Sequence, residues 1–414
     1  MMNALARAAR PCIATTAAAL TISARGDSNA QSAKQPYRVL VVGAGLGGCL
    51  CAKELRRRFG DAAELHVWER ATYNAGRFGA VAVAGDLRVD LGAQVLSVVD
   101  PGDPRALPGH GIALDALKGA WSEVQALEAR GLVEPVADNQ LAATEERLLW
   151  PELWRQYVSV GSFSDVCAAL LTDARPDAVY FGRRVDGLKR DAEGPFVVAA
   201  TQRDGDGARS ISTTFDAVVL AVPAPDALAV DGVADALPPE LADLLGRTRY
   251  DARTATAVFF CDDDGGASRI LDRVFKGRLE RDELGGLELA HRRSSTGPVV
   301  AVVAHSSATA SIAPPLSADD VLSAIAGADA AALRPLVVAS KSVRWDCAQM
   351  VTPLEALMPQ NPVEKEPCVC DDNYARPRRR LLHAKFVPRG LRFESRGGSG
   401  GASRVSSALR LVVV

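Results

Sequence analysis

The chain has 414 residues, of which 48% are hydrophobic, 24% charged and 5% aromatic, and 48 Lys and Arg against 50 Asp and Glu give a formal net charge of −2. A chain this apolar and this weakly charged buries enough surface to offset its ordering entropy, which excludes disorder throughout, and at about 100 to 200 residues per domain it predicts two or three domains. The balanced charge excludes a broad basic field for polyanions, and eight Cys are too sparse for a disulfide scaffold.

The near-neutral total is a sum of unlike parts. Residues 1–35 carry Arg7, Arg10, Arg25 and Lys34 against Asp27, a local +3. Residues 373–414 carry nine Arg and Lys385 against Glu394, a local +9, which leaves −14 for the body between them. The leader is rich in Ala, Ser, Thr and Arg and almost free of acid, the composition of an organelle transit peptide directed to a mitochondrion or plastid. Pro11, Thr15 and Thr16 interrupt the apolar stretch that a secretory signal needs, and a plain tail on a cytoplasmic protein is the other reading.

After Pro36 the run from Arg38 to Val42 predicts a buried parallel strand. A glycine turn follows, then Leu46, Leu50 and Leu55 at helical spacing, a basic end at Arg56, Arg57 and Arg58, and a stop at Gly60. Glu64 to Trp68 is a second strand, so the segment is a βαβ unit. Strands are also expected at 177–181, 196–201 and 215–222, an antiparallel set at 254–260, 286–293 and 298–306, and a further strand at 337–345. Ser317 and Asp320 form a capping box that opens an Ala-rich helix reaching about Leu333. Apolar runs such as 217–224 and 298–305 are far shorter than the about 20 residues that span a bilayer.

The glycine turn reads Gly43-Ala44-Gly45-Leu46-Gly47-Gly48, a GxGxxG between a strand and a helix, and Glu69 follows 21 residues after Gly48 at the end of the second strand. Gly43 permits the tight turn, Gly45 lets main chain approach a pyrophosphate, and Gly48 lets helix and strand pack closely. The helix N-terminus offers free N–H groups to phosphate, while Glu69 accepts from ribose hydroxyls and repels a 2′-phosphate. The five His, at 66, 110, 291, 305 and 383, form no metal or catalytic constellation, so no metal site and no catalytic residue is assigned.

Ala75-Gly76-Arg77 and Val89-Asp-Leu-Gly92-Ala93-Gln94 follow. With the helix pattern after the glycines and the Val67-Trp68-Glu69-Arg70 strand end, they resemble the flavin-containing amine oxidase superfamily, and within it the renalase group. The resemblance implies FAD as cofactor, with Arg70 beside Glu69, Gly76 and Arg77 at the pyrophosphate, and Gly92, Ala93 and Gln94 against the isoalloxazine ring. Ala75 stands where the family has its first Gly, which predicts an unstrained backbone there. The stretch 179–185 resembles the family strand whose Val contacts adenine through its backbone, which maps to Val185. The stretch 215–225 resembles the strand at the domain crossover, and Arg344-Trp345 to Gln349 a segment that brings Trp345 near the flavin. The family closes with a Gly-Asp element that residues 368–414 do not show, so FAD binding is in question at that end.

The fold expected is α/β: a Rossmann-like FAD-binding domain on a parallel sheet, plus a substrate domain with a mixed or antiparallel sheet. The discontinuous FAD domain takes 36–100, 161–225 and 337–414, and the substrate domain takes 101–160 and 226–336. The activity implied is oxidation of a small substrate, a misreduced dihydro-NAD(P) isomer, by hydride transfer to flavin N5 with O2 as acceptor and H2O2 as product. An amine oxidase, a carotenoid or porphyrinogen oxidase-desaturase, and a catalytically inactive binding protein on the same fold are the alternatives.

Overall fold

The structure, a computed structural model, describes residues 36–82, 87–102, 114–136, 154–190, 194–205, 207–278, 280–284, 287–294, 298–306, 316–325, 327–351 and 411–413. The leader and most of the basic tail lie outside the described residues. β1 (Tyr37–Val42) has parallel neighbours on both edges, which is why it reads as an unbroken apolar run rather than an alternation. α1 (Leu46–Phe59) ends at Gly60 with φ 52°, and β2 (Ala63–Trp68) pairs with β1 in parallel along its whole length. Arg56, buried at the helix end, donates to the carbonyls of Ala174, Gly60, Ala63 and Arg175 and to Asp177. The basic helix terminus thus includes a cation that ties α1 to main chain on two later segments.

β3 (Ala80–Ala82) and β4 (Arg88–Asp90) form an antiparallel pair. β5 (Leu96–Val99), α2 (Leu114–Ala129), β6 (Val133–Pro135) and β7 (Trp154–Ser159) follow, the strands in the order β5-β7-β6. α3 (Phe163–Ala174) leads into β8 (Ala178–Tyr180), which pairs in parallel with β2. One core joins Val39, Val41 and Val67 of the parallel sheet to Cys49 and Leu55 of α1, Leu170 of α3, Val124 of α2 and Tyr157 of β7. The described parts of 101–160, expected in a substrate domain, pack on the nucleotide-binding side, where their apolar faces bury against the α1–α3 layer.

β9 (Arg183–Arg190), β10 (Phe196–Asp204) and β11 (Gly207–Phe215) make an antiparallel meander. β12 (Ala217–Leu220) then returns to the parallel sheet, followed by α4 (Ala224–Leu228), α5 (Val233–Ala236) and α6 (Pro239–Arg247). Leu40, Trp68 and Val218 face Val185, Phe196, Ala227 and Leu245 in a second core on the opposite side of the parallel sheet. A parallel sheet covered on both faces is the Rossmann-like arrangement expected.

β13 (Tyr250–Cys261), α7 (Gly266–Phe275), β14 (Glu280–Leu284), β15 (Leu287–Ser294), β16 (Val299–His305), α8 (Ala318–Ile325), α9 (Gly327–Leu333) and β17 (Val337–Met350) complete the second region. Its sheet runs β14-β15-β16-β13-β17 with antiparallel neighbours throughout. The capping box forms as expected, Asp320 N–H donating to Ser317 Oγ at 3.1 Å and Ser317 N–H to Asp320 Oδ2 at 2.7 Å. Gly327, at φ 64°, breaks the expected helix into α8 and α9. β17, expected in the FAD domain, pairs with β13 from Tyr250 to Phe260. β18 (Leu411–Val413) lies parallel to β12 and gives the first sheet the order β18-β12-β1-β2-β8. No helix among the described residues is long and apolar enough to cross a membrane.

Candidate dinucleotide site

The glycine turn sits at the carboxyl end of β1, held by its neighbour strand. Gly43 N–H donates to the Trp68 carbonyl at 2.8 Å, and Ala44 N–H donates to Glu69 Oε2 at 2.8 Å. The other carboxylate oxygen of Glu69 accepts from Ala71 N–H at 2.8 Å, and the residue is 7% exposed. Each carboxylate oxygen keeps a lone pair after these bonds, enough for a ribose diol. A Cβ on Gly48 would land 1.9 Å from the Gly43 carbonyl oxygen, so only glycine allows α1 to begin this close to the turn. A Cβ on Gly45 would meet nothing nearer than Ala75 O at 3.7 Å, which leaves the turn's main chain open to a ligand. α1 has no side-chain cap and no acid in its first turn, so its free N–H groups and dipole favour an anion.

Two more turns close on this one. Ala75 N–H donates to the Ala44 carbonyl at 2.7 Å, and a parallel bridge joins Gly45 to Ala75, with Gly76 stacked against Gly45. Ala75 has φ 78°, which corrects the expectation of an unstrained backbone: the left-handed turn is held in a residue with a Cβ because both its flanks are hydrogen-bonded. Ala93 N–H then donates to the Arg77 carbonyl at 3.0 Å, and a Cβ on Gly92 would fall 1.7 Å from that same oxygen. Gln94 turns its amide back onto the Asp90 and Gly92 carbonyls. Asp90, which no motif argument singled out, anchors this third turn. Its carboxylate is 3% exposed and accepts from Phe163 N–H at 2.9 Å and Ser159 Oγ at 2.6 Å, at the start of α3. Segments 43–48, 75–78 and 90–94 thus make one cradle, bonded main chain to main chain.

The other expected residues surround it. Arg70 reaches Asp226 of α4 at 3.1 Å from the strand end that carries Glu69. Arg77 Nη1 donates to the Cys347 carbonyl at 2.9 Å, and its guanidinium lies 5.9 Å from the Tyr250 ring, so it links the cradle to the ends of β17 and β13. Burial, with Asp226 nearby, raises the Cys347 thiol above its ordinary range. Trp345 packs with Ala255, Ala257, Phe259, Ala301 and Val303 of the antiparallel sheet against Val89 and Leu91, the residues just before Gly92. Its indole N–H is buried without a hydrogen-bond partner among the described residues. Val185 lies on β9, whose first residue, Arg183, donates its N–H to the Glu69 carbonyl at 2.7 Å. Strand alternation puts the N–H and C=O of Val185 on that same outer edge of β9, two residues along from Arg183. Tyr250 and Arg183 carried no sequence signal, because each is a single residue in an ordinary strand. Among the described residues no group of three or more His, Cys, Asp or Glu is placed to hold a metal ion.

Residues 41–106 match the family of NAD(P)-binding Rossmann-like domains. A dinucleotide-binding Rossmann-like domain is therefore present in the chain. No curated protein matches the chain. Among solved structures, the Diels-Alderase PyrE3 of the pyrroindomycin biosynthetic pathway is similar at 14% identity and TM-score 0.42, over 76% of this chain and 57% of that one. The chain thus spans less than two thirds of that protein's length. The PF1083 protein from Pyrococcus furiosus is similar at 12% identity and TM-score 0.43, over 74% of this chain and 88% of that one.

Proposed function

We propose that the chain is an FAD-dependent oxidoreductase of the renalase type, oxidising misreduced dihydro-NAD(P) isomers. The observation that carries the reading is the threefold cradle. An NAD(P) Rossmann unit needs the βαβ segment, its glycine turn and the ribose acid. Here two further turns, at Ala75–Arg77 and Asp90–Gln94, are bonded to the first, and glycine is sterically required at Gly92 as it is at Gly48. Main chain that extends the site in this way fits a ligand whose second half also lies on this domain.

In this reading Glu69 accepts from the ribose hydroxyls, the α1 N-terminus and Gly45 hold the pyrophosphate, and Arg77 adds N–H donors beside it. The turn Gly92–Gln94 would hold the ring system. When bound, FAD would supply a hydride acceptor, with O2 as the final oxidant and H2O2 as its product. Oxidation of a dihydronicotinamide yields an aromatic cation, so the chain's task is to orient and to exclude water rather than to remove a proton.

The purified full-length protein is expected to show flavin absorbance and to bleach on anaerobic addition of a misreduced dihydronicotinamide. Bleaching by an amine or a polyene instead would transfer the assignment to an amine oxidase or a desaturase. A colourless folded protein that NAD(P) stabilises against heat and FAD does not would overturn the flavin assignment, because a ligand that binds the native state must stabilise it.

A further inference from the structure

The Arg183 side chain is 7% exposed and lies between two aromatic rings, 4.8 Å from the Trp68 centroid and 3.5 Å from that of Tyr180. Its Nε donates to a neutral amide, Gln202 Oε1, at 2.7 Å, and the Tyr180 side chain is a second hydrogen-bonding neighbour. Gln202 Nε2 in turn donates to the Phe181 carbonyl and to Asp204, each at 3.0 Å, so the nearest acid is held one residue further out. Burying a guanidinium without a carboxylate partner costs free energy that an apolar side chain of similar length would not. The two rings return part of that cost, about 2 kcal/mol when a cation is desolvated over them. Stability alone does not account for this residue.

Its position offers another account. Arg183 touches Trp68 at the end of β2 and Tyr180 at the end of β8, the two strand ends that meet at Glu69, and Gln202 on β10. The main chain is stitched at the same place, by Glu69 N–H to Tyr180 O at 2.9 Å, Arg183 N–H to Glu69 O at 2.7 Å and Gly182 N–H to Ala71 O at 2.8 Å. A planar guanidinium held against two rings and one amide fixes where β9 starts relative to β2. We infer that Arg183 is a positioning residue for the adenosine half of the ligand: it fixes the start of β9 against the strand end that carries the ribose acceptor Glu69, and so makes the site select a dinucleotide over a flavin mononucleotide.

This inference rests on the proposed FAD reading. The test is titration of the flavin-stripped full-length protein with FAD and with FMN, which lacks the adenosine half. For Arg183→Met, the ratio of the FMN to the FAD dissociation constant is expected to fall by about tenfold, through weaker FAD binding with FMN binding unchanged. Thermal stability should be retained, since the apolar stem is kept and the cost of holding a largely buried charge is removed. For Arg183→Lys, which keeps the charge but not the planar fork, the ratio should also fall. A ratio unchanged in both variants, or equal weakening of FAD and FMN with loss of thermal stability, would reduce Arg183 to a packing residue and overturn the inference. Failure of the unmodified protein to bind either flavin would overturn the FAD reading itself.

Discussion

The cradle and the antiparallel sheet that packs beside it are built by opposite means. The cradle is main chain: the N–H groups of Ala44, Ala71, Ala75 and Ala93 make its bonds, and glycines at 48 and 92 are required because a Cβ would strike a carbonyl oxygen. The sheet meets the β4 strand through side chains, with Ala255, Ala257, Phe259, Ala301 and Val303 against Val89 and Leu91. Main chain can approach main chain this closely only with particular residues in particular places, whereas many small apolar side chains would tile the sheet. A site made of backbone therefore leaves a signature in the sequence, and a wall made of side chains leaves only alternation.

The largest effect should come from breaking the cradle. Gly48→Val forces three carbons against the Gly43 carbonyl, where even a single Cβ would stand at 1.9 Å. Overpacking of this kind costs about 3 kcal/mol. Dinucleotide binding should be lost along with the stability, because the displaced turn carries Ala44 and Gly45. Denaturant unfolding and a ligand-induced thermal shift measure the two losses; a folded variant that still binds would sink the backbone-cradle description.

A change in the antiparallel sheet should separate what the cradle joins. On the sheet face away from β4, Thr256 Oγ1 is 2.7 Å from the Leu316 carbonyl and 2.9 Å from Ser342 Oγ, and Ser342 Oγ also donates to Leu316 at 2.6 Å. Thr256→Val keeps the shape and removes one of two donors to that oxygen, so the expected cost is about 1 kcal/mol. Dinucleotide affinity should be unchanged. A parallel loss of affinity would mean that the two regions respond as one unit, and the contrast between them would fail.

The same contrast explains what could be read in advance. β1, α1, β2, the glycine turn and Glu69 were legible because strand, turn, helix and acid fall within a few tens of residues and each demands its residue type. The antiparallel strands β13, β15 and β16 were legible as apolar runs. Membership was harder: β17 carries the same kind of pattern whichever sheet it joins, and only pairing with β13 decides. The described residues of 101–160 carry no motif, and their place in the α1–α3 core follows from which apolar faces remain uncovered. Asp90 lay in plain view within a recognised segment, but its role depends on Phe163 and Ser159, about 70 residues away. Arg183 depends on three strands at once and has no local signal.

The smallest effect is expected where the cradle departs from its own rule. Ala75 holds φ 78° with a Cβ, a conformation that costs about 1 to 2 kcal/mol for a residue other than glycine. Ala75→Gly would relieve that strain, yet it would add about 0.5 to 1 kcal/mol of backbone entropy to the unfolded chain. It would also remove a methyl group that is almost fully buried, worth about 0.8 kcal/mol. The three terms nearly cancel, so the net change should be within about 0.5 kcal/mol, against the gain of about 1 kcal/mol that strain relief alone would give. Ligand affinity should not move, because the contribution of Ala75 to the site is its N–H on the Ala44 carbonyl, which glycine retains. A clear gain in denaturation midpoint would show that the burial of the methyl group counts for little here. A clear loss, with weakened binding, would show that the alanine side chain, and not only its main chain, holds the second turn against the first.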